Sequence, residues 1–559
     1  MSSTTTFLPM RRTALVLACA GLALGAQAQT APAWTSAYEV ANFTNDNRGF
    51  AVDASGNTYE VSNFTDAAVV GGTTLTSTGF TDAYLAKYTP SGTLAWVRHL
   101  GSPGLEQVMD VAVDAAGDVY ISGTSEGAIT LSSTITLQGS TTPTQNSKAF
   151  IVRYSSAGVP LWAQQSSLSS SSQVNASGLD LDAAGNVYAT GFFAGSATFG
   201  TNTITLPSSV SGFGTYLARF SAATGAVQSL APGFYYPTTG SGSFSNPRVE
   251  VSATGEAYLL NMFTLGPVVG STTLTSRGSN DVLVAKFNAQ GAFEWVQQIG
   301  GPNDDRVRQG VVDAAGNLYV ATYFTGSATF GTTTVTGFGT SGYDACLVKY
   351  SPQGAMLWAQ PSGGPGADVS GGVELDAAGN PYLIGTYSDV AQIGSATVTS
   401  RGSSDIVVAA YSPQGTVRWV QQAGGPGPET GSYLGLDARG DIYVFGRHTD
   451  AATFGSTTLP AQSTIRSVVA RLGNAVLGTR ATQPQSLGFY PNPASNLIQL
   501  PGLPVGSHVE LLDALGRVAR ATTVTAAAQV SVRGLLPGLY TLRATDSQGQ
   551  PYSGRVIVE

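Results

Sequence analysis

The sequence predicts an all-β chain, a seven-bladed β-propeller followed by a small Ig-like β-sandwich. Three observations carry this: a turn of the form Asp-Ala-Ala-Gly-Asn that recurs along the chain, a strand–turn–strand block after each copy, and a change of pattern near residue 473. Composition agrees, because 69 glycines in 559 residues call for many tight turns. Only 11% of residues are charged and the net charge is −8. That excludes a coiled coil, a polyelectrolyte tail and a basic groove for nucleic acid, which needs a Lys/Arg surplus to neutralise phosphates.

Residues 1–28 read as an export signal. Arg11 and Arg12 form a basic start, Thr13–Gly25 an apolar stretch, and Ala26-Gln27-Ala28 a small-residue site with cleavage expected after Ala28. The apolar stretch is too short to span a bilayer, and no later stretch reaches that length. Removing two arginines and no acidic residue takes the net charge from −8 to −10. Cys19 falls inside the signal, which leaves Cys346 as the mature chain's one thiol and no intramolecular disulfide.

Residues 29–472 hold the repeat. Its Asp slot falls at Asp53, Asp114, Asp182, Ser252, Asp313, Asp376 and Asp437, 61 to 70 residues apart. A period of this kind marks a repeat architecture. Each repeat reads as four strands of alternating apolar and polar residues. Strand a runs into the Asp slot, strand b resembles Asn186-Val187-Tyr188-Ala189-Thr190, and strand c resembles Tyr84-Leu85-Ala86-Lys87-Tyr88. Strand d carries a Trp slot, at Trp96, Trp162, Trp295, Trp358 and Trp419, with Ser229 in the third copy. Between strands, Asp or Ser caps the turn, Pro presets φ and Gly takes positive φ.

The seventh copy stops after strand c at Leu472. Trp34 precedes the first Asp slot by nearly the distance that separates Trp96 from Asp114, so the N-terminal strand is expected to complete the last blade with Trp34 in its Trp slot. An open arc or a β-helix is the alternative. Each repeat exceeds the length four strands need, and the surplus lies between strands b and c, where segments such as 195–206 and 326–337 look like an extra hairpin. Short a–b and c–d turns share one face of such a ring. The variable b–c and d–a connections share the other, where binding is expected.

The DAAGN, FVAKY-like, SPSG and LLW-like segments resemble bacterial β-propeller repeats of the SBBP type, from Trp34 to about Leu472. The resemblance implies a propeller used outside the cell and no common activity. Beyond a linker at 473–487, residues 488–559 change to short alternating strands with Pro/Gly turns, a sandwich pattern. Tyr490-Pro491-Asn492-Pro493, Gly516-Arg517 and the Gly538–Tyr540 turn occur in the order of a type A C-terminal sorting domain of the type IX secretion system, which this tail resembles. The resemblance implies export across the outer membrane of a Gram-negative bacterium, removal of the tail by a sortase, and a secreted or cell-surface product. Glu559 departs from the basic ending common in that family.

Catalytic constellations are scarce. His99, His448 and His508 lie in separate segments, and no cofactor or metal motif appears. The repeated Asp reads as a turn cap, the repeated Lys/Arg of strand c as solvated or paired with sheet neighbours and not as a basic channel, and Cys346 as a buried small hydrophobe. Glu106, Asp304, Asp305, Asp368 and Glu429 fall in d–a loops, read as non-repeated, and are the acids that would serve a polysaccharide-active lyase or hydrolase, or hold calcium. Phe234, Tyr235 and Tyr236 sit in an expanded d–a connection. They read either as a platform for a glycan or surface protein or as a refill of the Ser229 gap. The expectation is a monomeric, non-enzymatic binding or display protein without a cofactor, its binding residues among Phe234, Tyr235, Tyr236, Asp304, Asp305 and Glu429.

Overall fold

A computed structural model describes residues 31–42, 45–139, 147–167, 173–236, 245–264, 266–339, 342–473, 485–501, 503–513, 518–525, 527–545 and 551–559. The signal with Ala28, and Gly516 and Arg517 of the tail, lie outside the described residues. The chain divides into two compact units, residues 1–474 and 475–559.

In the first unit, strands Asn45–Val52, Thr58–Phe64, Asp82–Tyr88 and Leu94–Leu100 pair antiparallel in that order. The same a-b-c-d order returns in each later repeat. The innermost strands, Asn45–Val52, Glu106–Val113, Gly178–Leu181, Arg248–Val251, Asp305–Val312, Val369–Leu375 and Thr430–Leu436, each touch the next, and the last returns to the first. This is a β-propeller with strands a around a central channel. Strands b and c are buried along their length, as in Thr58–Phe64 and Asp281–Phe287, because neighbouring blades cover both faces.

The ring closes through the chain's own beginning. Trp34–Asn42 pairs antiparallel with Arg466–Leu472 and is the outer strand of the last blade. The register corrects one expectation: Ser36, not Trp34, stands opposite Arg471, the place Trp96 takes opposite Lys87. Trp34 stands opposite Leu472, where Leu94 stands opposite Tyr88. Counting to the Asp slot crosses a connection whose length varies between blades, so the count misplaced the slot. The Trp34 ring meets Phe454 edge-on at 5.3 Å, and its Nε1 donates to the Gln422 carbonyl at 3.1 Å.

Blades are joined by a shared acceptor. Lys87 Nζ and Trp96 Nε1 both donate to the Ser156 carbonyl in the next blade's c–d turn, at 3.0 and 3.2 Å. Arg153 and Trp162 do the same to Ala222, each at 2.7 Å, and Lys286 and Trp295 to Pro352, each at 3.0 Å. The indole lies flat on that turn. A Cβ on Gly158 would stand 2.8 Å from Trp96, and its φ of 76° suits glycine alone.

The b–c surplus forms hairpins, such as Ser196–Phe199 with Asn202–Thr205, and most do not stay in their own blade. Ser196–Phe199 pairs with strand d of the preceding blade through Ser166↔Phe199, and Ala67–Val70 pairs with the N-terminal strand through Ala41↔Val70. Each such hairpin therefore covers a strand edge that would otherwise be open to aggregation.

The second unit is a sandwich of a five-stranded sheet and the pair Leu497–Gln499 with Gln529–Ser531 around a core of Ile498, Leu511, Val530, Leu542 and Val556. Gln485–Ser486, read as linker, pairs parallel with Pro551–Val558 and belongs to this sheet, with Leu487 in its core. Asn492 clamps the last strand, accepting from the Ile557 amide at 2.8 Å and donating to the Arg555 carbonyl at 3.0 Å. Tyr490 is exposed, its backbone paired with Gln499, and the Tyr490–Pro491 and Asn492–Pro493 bonds are cis. Gly538 opens the strand Gly538–Thr545, and Tyr540 is buried with its hydroxyl on the Leu536 carbonyl at 2.9 Å.

Deleting residues 31–42 should leave Arg466–Leu472 as a bare edge and uncover one blade face. Aggregation or a sharp fall in melting temperature is expected in the purified ring; an unchanged melt would argue for an open arc.

Candidate functional site

Residues that recur serve the blade. Asp53 Oδ1 accepts the amides of Ser55 and Asn57, each at 2.9 Å, and Oδ2 accepts the Tyr59 hydroxyl at 3.0 Å. The strand-c cation then lies over that tyrosine ring, Lys87 at 5.0 Å from Tyr59 and Lys349 at 4.5 Å from Tyr319. Cys346 is buried, and burial pushes its thiol well above the ordinary value.

The aromatic cluster is not a platform. Strand d of the third blade extends through Val227–Tyr235, so these residues continue a strand where a long loop was expected. Phe234 is fully buried and pairs with Val269, while Tyr236 is buried with its hydroxyl accepting from Asn261 at 2.9 Å. Tyr235 is half-buried. They do not refill the Ser229 slot: Ser229 faces Arg219, and Ala231 is the side chain nearest Gly291 of the next turn.

The loop acids are not brought together. Glu106, Asp305, Asp368 and Glu429 each stand eight residues before their Asp slot, so they recur, contrary to the sequence reading. Each is buried and accepts the amide four residues back: Ser102 at 2.8 Å, Gly301 at 2.8 Å, Gly364 at 2.7 Å and Gly425 at 2.7 Å. Burial pushes Asp305 and Glu429 up to about 7. They cap their own loops. Asp304 is also engaged, accepting from Tyr343 and Arg306 at 2.6 Å each and from Asn280. Burial opposes its charge, but those bonds outweigh it and hold the carboxyl below its ordinary value.

What the sequence reading missed is the channel. A cavity of about 330 Å³ is lined by Asp110, Asp180, Glu250, Glu374, Arg248 and Tyr433 along with apolar strand-a residues. Strand a of the fourth blade shows why: in Arg248-Val249-Glu250-Val251, the valines are buried while the charged residues alternate toward the channel. Inner strands are sheet edges, and their amides need acceptors. Asp110 takes the Leu179 amide at 3.1 Å, Asp180 the Val251 amide at 2.6 Å, and Glu250 the Gly310 amide at 3.0 Å, each from the next blade. Arg248 crosses the channel to Asp110 at 3.5 Å and donates to the Tyr433 hydroxyl at 3.4 Å.

These carboxylates touch the channel space but are enclosed by protein. Burial, reinforced by neighbouring acids, pushes Asp180 up to about 7 and Glu374 up to about 8, and raises Glu250 well above the carboxylate range. Burial also raises Asp110, against the pull of Arg248. Among the described residues, no group of three or more His, Cys, Asp or Glu is placed to hold a metal ion.

The arginines cluster where the channel meets the variable loops. Arg248, Arg308 and Arg447 line a second cavity of about 150 Å³ at the d–a and b–c end, together with Ser370, Thr430 and Tyr433. The opposite end is a wider space of about 570 Å³ bordered by the repeated Asp turns. The candidate site is therefore the narrow polar mouth on the loop face.

Residues 488–559 match the family described as the secretion system C-terminal sorting domain. The tail thus marks the chain for secretion and surface attachment through type IX export, and no helix among the described residues is long and apolar enough to cross a membrane. No curated protein matches the chain. Solved structures similar to it include quinohemoprotein alcohol dehydrogenase ADHIIG of Pseudomonas putida, 11% identical over 84% of this chain and 79% of that one, TM-score 0.35. BamB from Moraxella catarrhalis is 11% identical over 78% and 99%, TM-score 0.29. A member of the duf4221 family from Bacteroides vulgatus is 8% identical over 79% and 97%, TM-score 0.28. Likeness at this level says nothing of what the chain binds.

Two outcomes follow from the site. Tyr236→Ala should destabilise the ring by about 3–5 kcal/mol, the range for buried aromatic truncation, and Tyr235→Ala by much less; chemical denaturation of both variants checks this. The unfolded chain releases carboxylate protons near pH 4, whereas folded Asp180 and Glu374 hold theirs to about 7 and about 8. Folded protein thus binds more protons across that window, so stability should fall as pH rises through it, and Glu374→Gln should flatten the slope of melting temperature between pH 5 and 8.5.

Proposed function

We propose that this chain is a non-enzymatic, monomeric propeller that captures a ligand at the loop-face mouth of its channel. On this reading a signal ending at Ala28 takes the chain through the inner membrane, the tail engages the type IX machinery, and a sortase removes the tail at the surface. The observation that carries the binding role is the convergence of non-repeated polar side chains, Arg248, Arg308, Arg447 and Tyr433, at one end of a channel otherwise built from repeated positions. Binding residues characteristically vary over a rigid scaffold, and here the recurring Asp, Tyr and Trp columns hold turns and blades together. The lack of turnover is supported by the engagement of the loop-face acids. A glycosidase needs two carboxylates facing one open cleft, whereas Asp305 and Glu429 are buried in separate blades as loop caps. The SBBP-type resemblance supports extracellular use and leaves the ligand open.

Delivery and capture are tested separately. Truncation after Ala481 should leave a folded ring in the periplasm of the native host, while residues 482–559 should carry a Sec-exported reporter to the surface or medium with loss of about the tail's mass. Secretion of the truncated chain would overturn the assignment. For capture, the mature protein should bind surface polysaccharides in a panel without releasing shorter products; release of oligosaccharides by the purified protein would make it an enzyme.

A further inference from the structure

The 150 Å³ cavity at the mouth is the place where positive charge gathers in a chain that is acidic overall. Arg248 comes from strand a of the fourth blade, Arg308 from strand a of the fifth, and Arg447 from the end of strand b of the seventh. Among the described residues, no Asp or Glu lines it. The acids stand deeper, along the channel, so the two signs are separated along its length.

Arg248 and Arg308 are each positioned. Arg248 is held by Asp110 at 3.5 Å and by Tyr433, whose hydroxyl donates to the Arg48 carbonyl at 2.8 Å. Arg308 lies over the Tyr323 ring at 5.6 Å, which leaves the edge of its guanidinium for hydrogen bonding, and among the described residues it makes no ion pair. The floor is backbone. A Cβ on Gly371 would stand 2.5 Å from the Gly431 carbonyl, so glycine permits the sixth and seventh blades to close there. Strand irregularities at Ser370/Val373 and Gly431/Tyr433 bend both inner strands at this point. The hydroxyls of Thr430 and Ser432 border the same space.

We propose that this cavity binds one oxyanion group, a carboxylate or a sulfate ester, carried by an acidic polysaccharide. It rests on the capture role above and deepens it by naming the chemistry. Guanidinium forks match carboxylate and sulfate oxygens in pairs, and bonds of this charge-assisted kind are the strong ones. A cavity of about 150 Å³ admits at most one sugar residue with its charged group, so the remainder of the chain lies outside on the loop face. The acids behind do not cancel the field, because Asp110 is paired with Arg248 and burial favours the protonated form of Asp180 and Glu374.

The test uses the full mature chain in calorimetric titrations with galacturonate, polygalacturonate, dextran sulfate, neutral dextran and poly-glutamate. Polygalacturonate and dextran sulfate should bind, neutral dextran should not, and galacturonate should bind weakly as the isolated group. Affinity should fall at least about tenfold in Arg308→Gln, the loss of one charge-assisted bond, and should weaken with added salt. Arg308 is exposed, so the variant should melt like the parent; Arg308→Glu is a second probe that should abolish binding. Equal affinity in the parent and Arg308→Gln overturns the cavity. Capture of neutral dextran alone also overturns it and leaves the capture role standing. Poly-glutamate bound while both acidic polysaccharides fail overturns the choice of a glycan and keeps the oxyanion site. Failure of every probe overturns the oxyanion site without touching the export assignment.

Discussion

Four junctions of the ring each depend on one shared carbonyl. An indole N–H and an ammonium or guanidinium from neighbouring strands of one blade end on the same c–d turn oxygen of the next. Three features support the bond: the cation sits over its strand-b tyrosine, an Asp turn holds that tyrosine's hydroxyl or, in the fourth blade where Ser252 takes the slot, the Gly316 carbonyl does, and the following turn offers a glycine under the indole. Turn chemistry, strand pairing and blade-to-blade packing are thereby tied to one geometry in those blades, while the sixth has Ala410 in the cation slot and the seventh has Ser36 in the Trp slot. Where the Trp slot holds Ser229, the third blade lacks the indole donor, and Arg219 alone reaches the next turn, to Ala289 at 3.5 Å.

Such a scaffold leaves few positions to vary, and those positions form the mouth. Five residues before the Asp slot stand Arg48, Met109, Ser177, Pro247, Arg308, Gly371 and Ser432; ten residues after it stand Asn63, Thr124, Phe192, Met262, Tyr323, Thr386 and Arg447. Both columns lie at the loop-face end of strands a and b. They mix charge, size and backbone freedom in a way the columns that hold Tyr and Asp do not.

Those two columns also explain what was and was not legible in the sequence. Recurring features could be read, because repetition separates a turn cap from a catalytic acid, and Asp53 caps its turn as the pattern required. The mouth went unread because it was sought in long loops. Loop length alone cannot tell a connection from a longer strand, and so Phe234 and Tyr236 proved to be core. Asp305 and Glu429 were read as singular because their column mixes Asp and Glu and lapses in other blades, although Glu106, Asp305, Asp368 and Glu429 each stand ten residues after a Trp slot and eight before an Asp slot. Trp34 was placed by counting, whereas register is set by the partner strand and its bulges. Of the channel charges, Asp180, Glu250 and Glu374 share one repeat position, two residues before the Asp slot, but only the closed ring brings Arg248 to Asp110 and Tyr433.

The strand Arg466–Leu472 has a mechanical consequence. It lies between Ile442–His448 and Trp34–Asn42, hydrogen-bonded along both sides. Any pull exerted through the polypeptide beyond Leu472, by whatever holds the C-terminal end, enters the ring at this strand. Antiparallel neighbours on both sides resist that pull in shear, so many bonds must break together instead of one at a time as in peeling an edge. The load then divides between the first strand of the chain and a blade more than four hundred residues later.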